Sequence, residues 1–179
     1  MSNEIIIVPF RHIDSAIINH LSQELNFAYN STIRIKESQA IPRLALNQYR
    51  GQYRANSFLD ALTSLNFSAR TLGITDVDLY NDRHDYVFGA TDPERMVALI
   101  SLTRLNPGFY KMLEDIRTYY SRITKAAIYY LGFLFNLNKC PEEDCVMHPA
   151  ETILELDLKS ERFCGNCQAK LKEFWAKSK

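Results

Sequence analysis

The sequence predicts a single α/β (α+β) domain: a mixed, twisted sheet with helices packed on it, a long central helix, and a C-terminal part organised by cysteine. Three observations carry this reading. Strand-like and helix-like hydrophobic patterns alternate as far as Leu102. A helical pattern then runs from Asn106 towards Phe135 and becomes apolar nearly all round after Ile123. All four cysteines lie after position 139. With 179 residues and no repeat, low-complexity tract or linker, the chain has the size of one domain with a substantial core. Residues 1–138 are assigned to the sheet and central helix, and residues 139–179 to a cysteine subdomain.

The elements follow in chain order. Ile5 to Phe10 begins with four β-branched aliphatics and is punctuated by Pro9, the pattern of a buried strand. Asp14 can cap a helix through Leu25, whose Ile17, Ile18, Leu21 and Leu25 recur at helical spacing. Thr32 to Lys36 alternates polar and apolar residues, as a half-buried strand does. A polar loop reaches about Arg50, and Tyr53 to Leu65 is helical through Phe58, Leu59, Leu62 and Leu65. Thr71 to Val77, Tyr86 to Gly89 and Met96 to Leu102 are strand candidates, divided by charged segments short enough for hairpin-like links. Asn106 followed by Pro107 marks a helix start. Asn136, Asn138 and Pro141 end that helix, and Cys167 to Ala176 supplies a short terminal one.

Charge and hydropathy exclude several classes of function. Lys and Arg total 21 against 21 Asp and Glu, so no global basic field attracts a polyanion, and nucleic acid is not an expected partner. The longest apolar stretch, Ala126 to Phe135, has ten residues where a membrane-spanning helix needs roughly 20. The run Ile5 to Val8 lacks the basic flank and the length of a secretory signal, which leads to the expectation of a cytoplasmic protein.

In a reducing compartment, cysteines gathered in one segment point to metal rather than disulfides. Four residues separate Cys140 from Cys145, eighteen separate Cys145 from Cys164, and two separate Cys164 from Cys167. Four thiolates close a tetrahedral shell around zinc and leave no open position for water, so such a site staples a fold and performs no hydrolysis. Gly165, inside the second pair, fits a tight turn that aims amides at sulfur, as in a zinc knuckle. The same donors suit an iron–sulfur cluster. A thioredoxin-like role for Cys164 and Cys167 would need a preceding strand in a βαβ unit. Lys159, Arg162, Lys170, Lys172, Lys177 and Lys179 add basic character, read as solvated surface.

These residues resemble the archaemetzincins, metzincin-type zinc peptidases with the signature HExxHxxGxxHC, a second Cys, a Met-turn CxM and a C-terminal CxxC. Lys125 to Cys140 resembles the active-site helix, and Cys140, Cys145, Cys145-Val146-Met147 and Cys164-Gly165-Asn166-Cys167 match in order. Arg50-Gly51-Gln52-Tyr53, Leu72 to Leu79, Tyr86 to Gly89 and Ser101 to Leu105 also resemble archaemetzincin blocks. The resemblance spans nearly the whole chain and implies a metzincin-like fold.

Aligned on Cys140, the first zinc His of the signature falls on Tyr129, the general-base Glu on Tyr130, the second His on Phe133, the helix-ending Gly on Asn136 and the third His on Lys139. A metzincin zinc needs three neutral imidazoles and a carboxylate that takes a proton from bound water. Here a phenol, a phenyl ring and an ammonium group stand in the ligand positions. His12, His20, His84 and His148 are scattered, and only His148, beside the Met-turn Met147, is near the site in sequence; a hydrogen-bonded turn residue is the expected reading. Asp76 and Asp78 are read as a strand end and turn. Tyr129 and Phe133, four apart on a helix, share a face. With Tyr130 and His148 they are the candidate lining of a pocket that fills with its own aromatics or takes a peptide or apolar ligand.

The expectation is therefore an archaemetzincin-like protein with one structural zinc on Cys140, Cys145, Cys164 and Cys167 and no catalytic residues, binding a peptide or protein partner. The alternative is a zinc-dependent peptidase that acts through a relocated or degenerate metal site.

Overall fold

Strand β1 (Glu4–Pro9) lies second from one edge of a five-stranded sheet, and its alternation assigns each side chain to a face. Ile5 and Ile7 enter one hydrophobic core, Ile6 and Val8 the other, so an uninterrupted aliphatic run is what a strand covered on both faces requires. These are features of a computed structural model that describes residues 3–113 and 115–177. Helix α1 (Ser15–Tyr29) follows, capped by the Asp14 carboxylate accepting from the Ala16 amide and stopped by left-handed Asn30. Strand β2 (Thr32–Ile35) then pairs in parallel with β1.

The loop expected up to Arg50 contains β3 (Leu46–Asn47), which pairs with β4 (Gln52–Arg54). Helix α2 (Ala55–Ser64) covers the second core, and β5 (Arg70–Thr75) runs parallel to β1 on the side away from β2. Strand β6 (Leu79–Tyr80) joins β4, making a small second sheet in the order β3-β4-β6. Strands β7 (Gly89–Asp92) and β8 (Val97–Ser101) are antiparallel neighbours, and β8 is parallel to β5. The main sheet is thus mixed, ordered β2-β1-β5-β8-β7, with β7 its one antiparallel edge.

The helical pattern after Asn106 is broken where the sequence reading made it continuous. Asn106 does cap a turn, its side chain accepting from the Gly108 amide, but that turn is a single 3-10 segment, Pro107–Tyr110, ended by left-handed Lys111. Asp115 then starts α3 (Ile116–Gly132) by accepting from the Arg117 amide. A 3-10 turn, Phe133–Phe135, extends it to Asn136. Asn136, which stands in the signature's glycine position, adopts φ 59°, the conformation glycine takes most readily.

Helix α4 (Ile153–Leu158) was not expected, although its signal is present: Thr152 and Glu155 form a reciprocal capping box. Helix α5 (Gly165–Lys177) closes the described chain. The strand expected at Tyr86–Gly89 begins only at Gly89, with Val87 making an isolated bridge to Leu79. No described helix is long and apolar enough to cross a membrane.

Residues from both ends of the chain share the larger core. Val146, Met147, Leu156 and Leu171 pack with Leu21, Leu25, Ile128 and Leu131. Gly132 permits the closest approach: a Cβ there would lie 2.4 Å from the Met147 sulfur, so the turn at Met147 seats directly on α3. The Tyr29 hydroxyl donates to the Ile128 carbonyl across 2.6 Å and ties α1 to the same helix.

Candidate functional site

The chain leaving α3 builds two neighbouring sites. Cys140 and Cys145 lie in the loop after the helix, Cys164 immediately precedes α5, and Cys167 is in its first turn. The four sulfurs lie within 4.8 Å of one another, with Cys140 and Cys164 at 3.7 Å. Zinc–sulfur bonds of ~2.3 Å in a tetrahedron place sulfurs roughly 3.8 Å apart, so this donor set and spacing fit a closed metal shell.

Backbone amides support the sulfurs, with Met147 and Cys164 N–H directed at the Cys145 Sγ over 3.4 and 3.3 Å. The Cys167 backbone brings the Cys164 thiol down to about 7, while burial pushes the Cys145 and Cys167 thiols up. The turn between Cys164 and Cys167 is the first turn of α5, and it does not need a glycine: the φ of Gly165 is not positive and a Cβ there would meet open space. No strand directly precedes Cys164, so the context a thioredoxin-like pair requires is missing.

Beside this cluster a cavity of about 680 Å³ opens between α3 and strand β7. Tyr129, Tyr130, Phe133 and Lys139 line one side; Gly89, Ala90 and Thr91 line another; residues 81–84 and Glu151 complete the rim. The Tyr129 ring meets Tyr130 and Phe133 edge to face, with centroids 5.2 and 5.1 Å apart. Tyr130 rests on the edge strand, where a Cβ at Gly89 would come within 2.6 Å of its ring. Burial, reinforced by the Glu151 carboxylate, pushes the Tyr129 phenol up to about 12, and burial raises Tyr130 well above the usual phenol range. Both phenols are held protonated at neutral pH.

Two residues read from sequence occupy other places. His148 does not line the cavity; its Nδ1 lies 3.0 Å from the Cys140 carbonyl oxygen, as a turn histidine's would. Lys159, read as solvated surface, is buried, with only 3% of its surface exposed. Its ammonium donates to the Val146 and His148 carbonyls at 2.9 and 2.8 Å and faces the Tyr129 ring at 4.4 Å. Burial brings it down to about 7. No sequence signal distinguishes it from the exposed lysines around it, because its burial depends on where α4 lands.

The remaining candidates are structural. Asp78 accepts from the Arg104 Nε and Nη2 at 2.6 and 2.8 Å and from the Gln52 side-chain amide at 2.9 Å, joining three of the motif blocks. His20 bonds Thr124 and stacks on Tyr120; His12 is exposed, and His84 is exposed on the rim of the cavity. Among the described residues, the cysteines are the one group of three or more His, Cys, Asp or Glu arranged to hold a metal.

The model of peptidase family M54 matches residues 10–173. The chain belongs to this family, the archaemetzincins. An archaemetzincin of Pyrococcus furiosus is 37% identical over 97% of this chain and 94% of its own length, and one of Haloquadratum walsbyi is 32% identical over 90% and 95%. The fold agrees with that of the archaemetzincin of Methanopyrus kandleri at a TM-score of 0.85 and 29% identity, covering 97% of this chain and 95% of that one. A zinc-dependent peptidase from Methanocorpusculum labreanum superposes with a TM-score of 0.86 at 26% identity, over 93% of this chain and 99% of its own. With the HExxHxxGxxHC signature aligned on Cys140, its ligand, base and glycine positions are expected at Tyr129, Tyr130, Phe133, Asn136 and Lys139.

Proposed function

We propose that this archaemetzincin is a non-catalytic member of its family, held by one structural zinc on Cys140, Cys145, Cys164 and Cys167, whose former catalytic cleft binds peptide segments. The observation that carries the reading is the composition of the cavity wall. Where three imidazoles and a carboxylate belong, there is an aromatic wedge of Tyr129, Tyr130 and Phe133 with Lys139 at its end.

These residues do not fit the family's catalytic metal. Phe133 has no lone pair, Tyr129 is held protonated by its burial, and Lys139 sets a cation beside the place of a dication. Neither phenol can serve as a general base near neutrality, since a base needs a pKa close to the working pH. No hydrolytic step is derived for this chain.

The cysteines do fit a metal. Zinc in such a closed shell contributes folding energy and no water activation. The chain's own contribution is positional: the Cys140 amide donates to the Met147 carbonyl, and Lys159 pins the carbonyls on either side of that residue. The cysteine segment thereby holds the turn at Met147 against Gly132.

Metal analysis with a hydrolysis assay tests the proposal. Purified protein is expected to carry one zinc per chain and to leave a quenched peptide library intact. A second tightly held zinc, with peptide cleavage that a chelator abolishes, overturns the reading in favour of a peptidase with a rebuilt metal site.

A further inference from the structure

The charged groups of the cavity wall, Asp82 and Glu151 against Arg83 and Lys139, differ in their pairing, which bears on what the cleft takes. Asp82, on the rim, is already engaged by the Arg54 guanidinium at 2.7 Å. Arg83, on the same loop, has no carboxylate partner among the described residues, and neither has Lys139 on the opposite wall. The remaining anion of the wall is Glu151, whose charge acts on Tyr129. Two uncompensated cations therefore face the cavity against one anion, on a protein whose formal net charge is zero.

The backbone of the same wall is presented for pairing. The Ser101 amide donates to the Phe88 carbonyl, and in the β7–β8 register this sets Ala90 and Asp92 towards β8 and Gly89 and Thr91 away from it. The Tyr130 ring packs on Gly89, while Thr91 sets its outward amide and carbonyl beside the cavity. An edge of this kind, with an aromatic floor beneath it, suits an extended segment that adds backbone hydrogen bonds and seats an apolar side chain.

We infer that the cleft is selective for acidic peptide segments: an extended stretch beside Thr91, with an apolar or aromatic side chain on Tyr129 and Phe133 and flanking carboxylates paired with Arg83 and Lys139. This rests on the proposed peptide-binding role and adds the chemistry of the ligand. The cations, formerly a ligand position in the case of Lys139, act here as the selective element, and their attraction is subject to screening by salt.

Fluorescence anisotropy on the zinc-loaded full chain tests it, using a labelled hexapeptide with a central Phe flanked by glutamates and matched peptides carrying Gln or Lys in those places. The glutamate peptide is expected to bind about fivefold more tightly than the Gln peptide at low salt, as two exposed ion pairs allow, with the Lys peptide weakest. The double variant Arg83→Gln, Lys139→Gln, checked for unchanged zinc content, is expected to erase that preference. Equal binding of the Glu and Gln peptides, or a preference that survives in the double variant, overturns the acidic selectivity and leaves peptide binding standing. Absence of binding by all three peptides overturns both.

Discussion

Lys139 and Cys140 are adjacent in sequence yet belong to regions with opposite fates. On one side, four sulfurs remain at the spacing of a closed shell, with amides turned toward them. On the other, rings packed edge to face line a cavity. Both regions rest on the same turn at Met147, which seats on Gly132 and is pinned by Lys159. Under the proposed function the scaffold of a metallopeptidase and its chemistry are separable: thiol donors at the spacing of a closed shell persist, while aromatic side chains line the cavity beside them.

The largest effect that sharpens this contrast is expected from Cys164→Ser. A hydroxyl is a poor replacement for a thiolate, and structural zinc contributes apparent folding energy of about 10–16 kcal/mol in small zinc-dependent peptides. The loss here is expected to reach several kcal/mol, comparable with the ~5–15 kcal/mol total stability of a domain. Thermal unfolding with zinc analysis measures it; unchanged melting and zinc content would show that the cysteines do not staple this fold.

Phe133→Ala is the corresponding change across the boundary. The ring is only partly buried and leaves one aromatic contact behind, so a loss of about 1–2 kcal/mol is expected, below the ~3–5 kcal/mol of a fully buried Phe. Zinc content should remain that of the wild type. A parallel loss of zinc would mean that the two regions are one cooperative unit and that the comparison fails.

The smallest effect concerns alkaline pH. Tyr129 and Tyr119 are both pushed up to about 12 by burial, against an ordinary phenol value of 10. Below pH 10 both are protonated whether the chain is folded or not, and they add no pH dependence. Between about 10 and 12 the unfolded chain loses these protons first, so stability falls as pH rises through that window. Tyr129→Phe should remove part of the fall, as followed by urea unfolding at pH 9 and 11. A tyrosinate absorbance band near neutral pH would instead identify a phenolate bound to metal and break the distinction between the regions.

Much of the architecture was readable because it rests on local periodicity. The run at Ile5 to Val8 announces a strand covered on both faces, Asp14 a helix start, and the cysteine spacing a soft-donor cluster. The break at Lys111 was hidden because the apolar residues on either side keep a helical rhythm that backbone conformation interrupts. The capping box at Thr152 was legible but masked by its position between cysteines.

The amino-acid sequence by itself determined which donors exist: four thiols in one segment, and neither an imidazole nor a carboxylate at the signature's ligand and base positions. Such chemistry is a property of side chains and needs no fold to be read. Only the tertiary structure decided that Lys159 lies beneath Tyr129, that Tyr130 rests on Gly89, and that Arg83 faces the same cavity as Lys139. These relations join residues far apart in the chain, and their burial and pairing arise when α3, α4 and the edge of the sheet close on one another, a long-range event that local pattern does not encode.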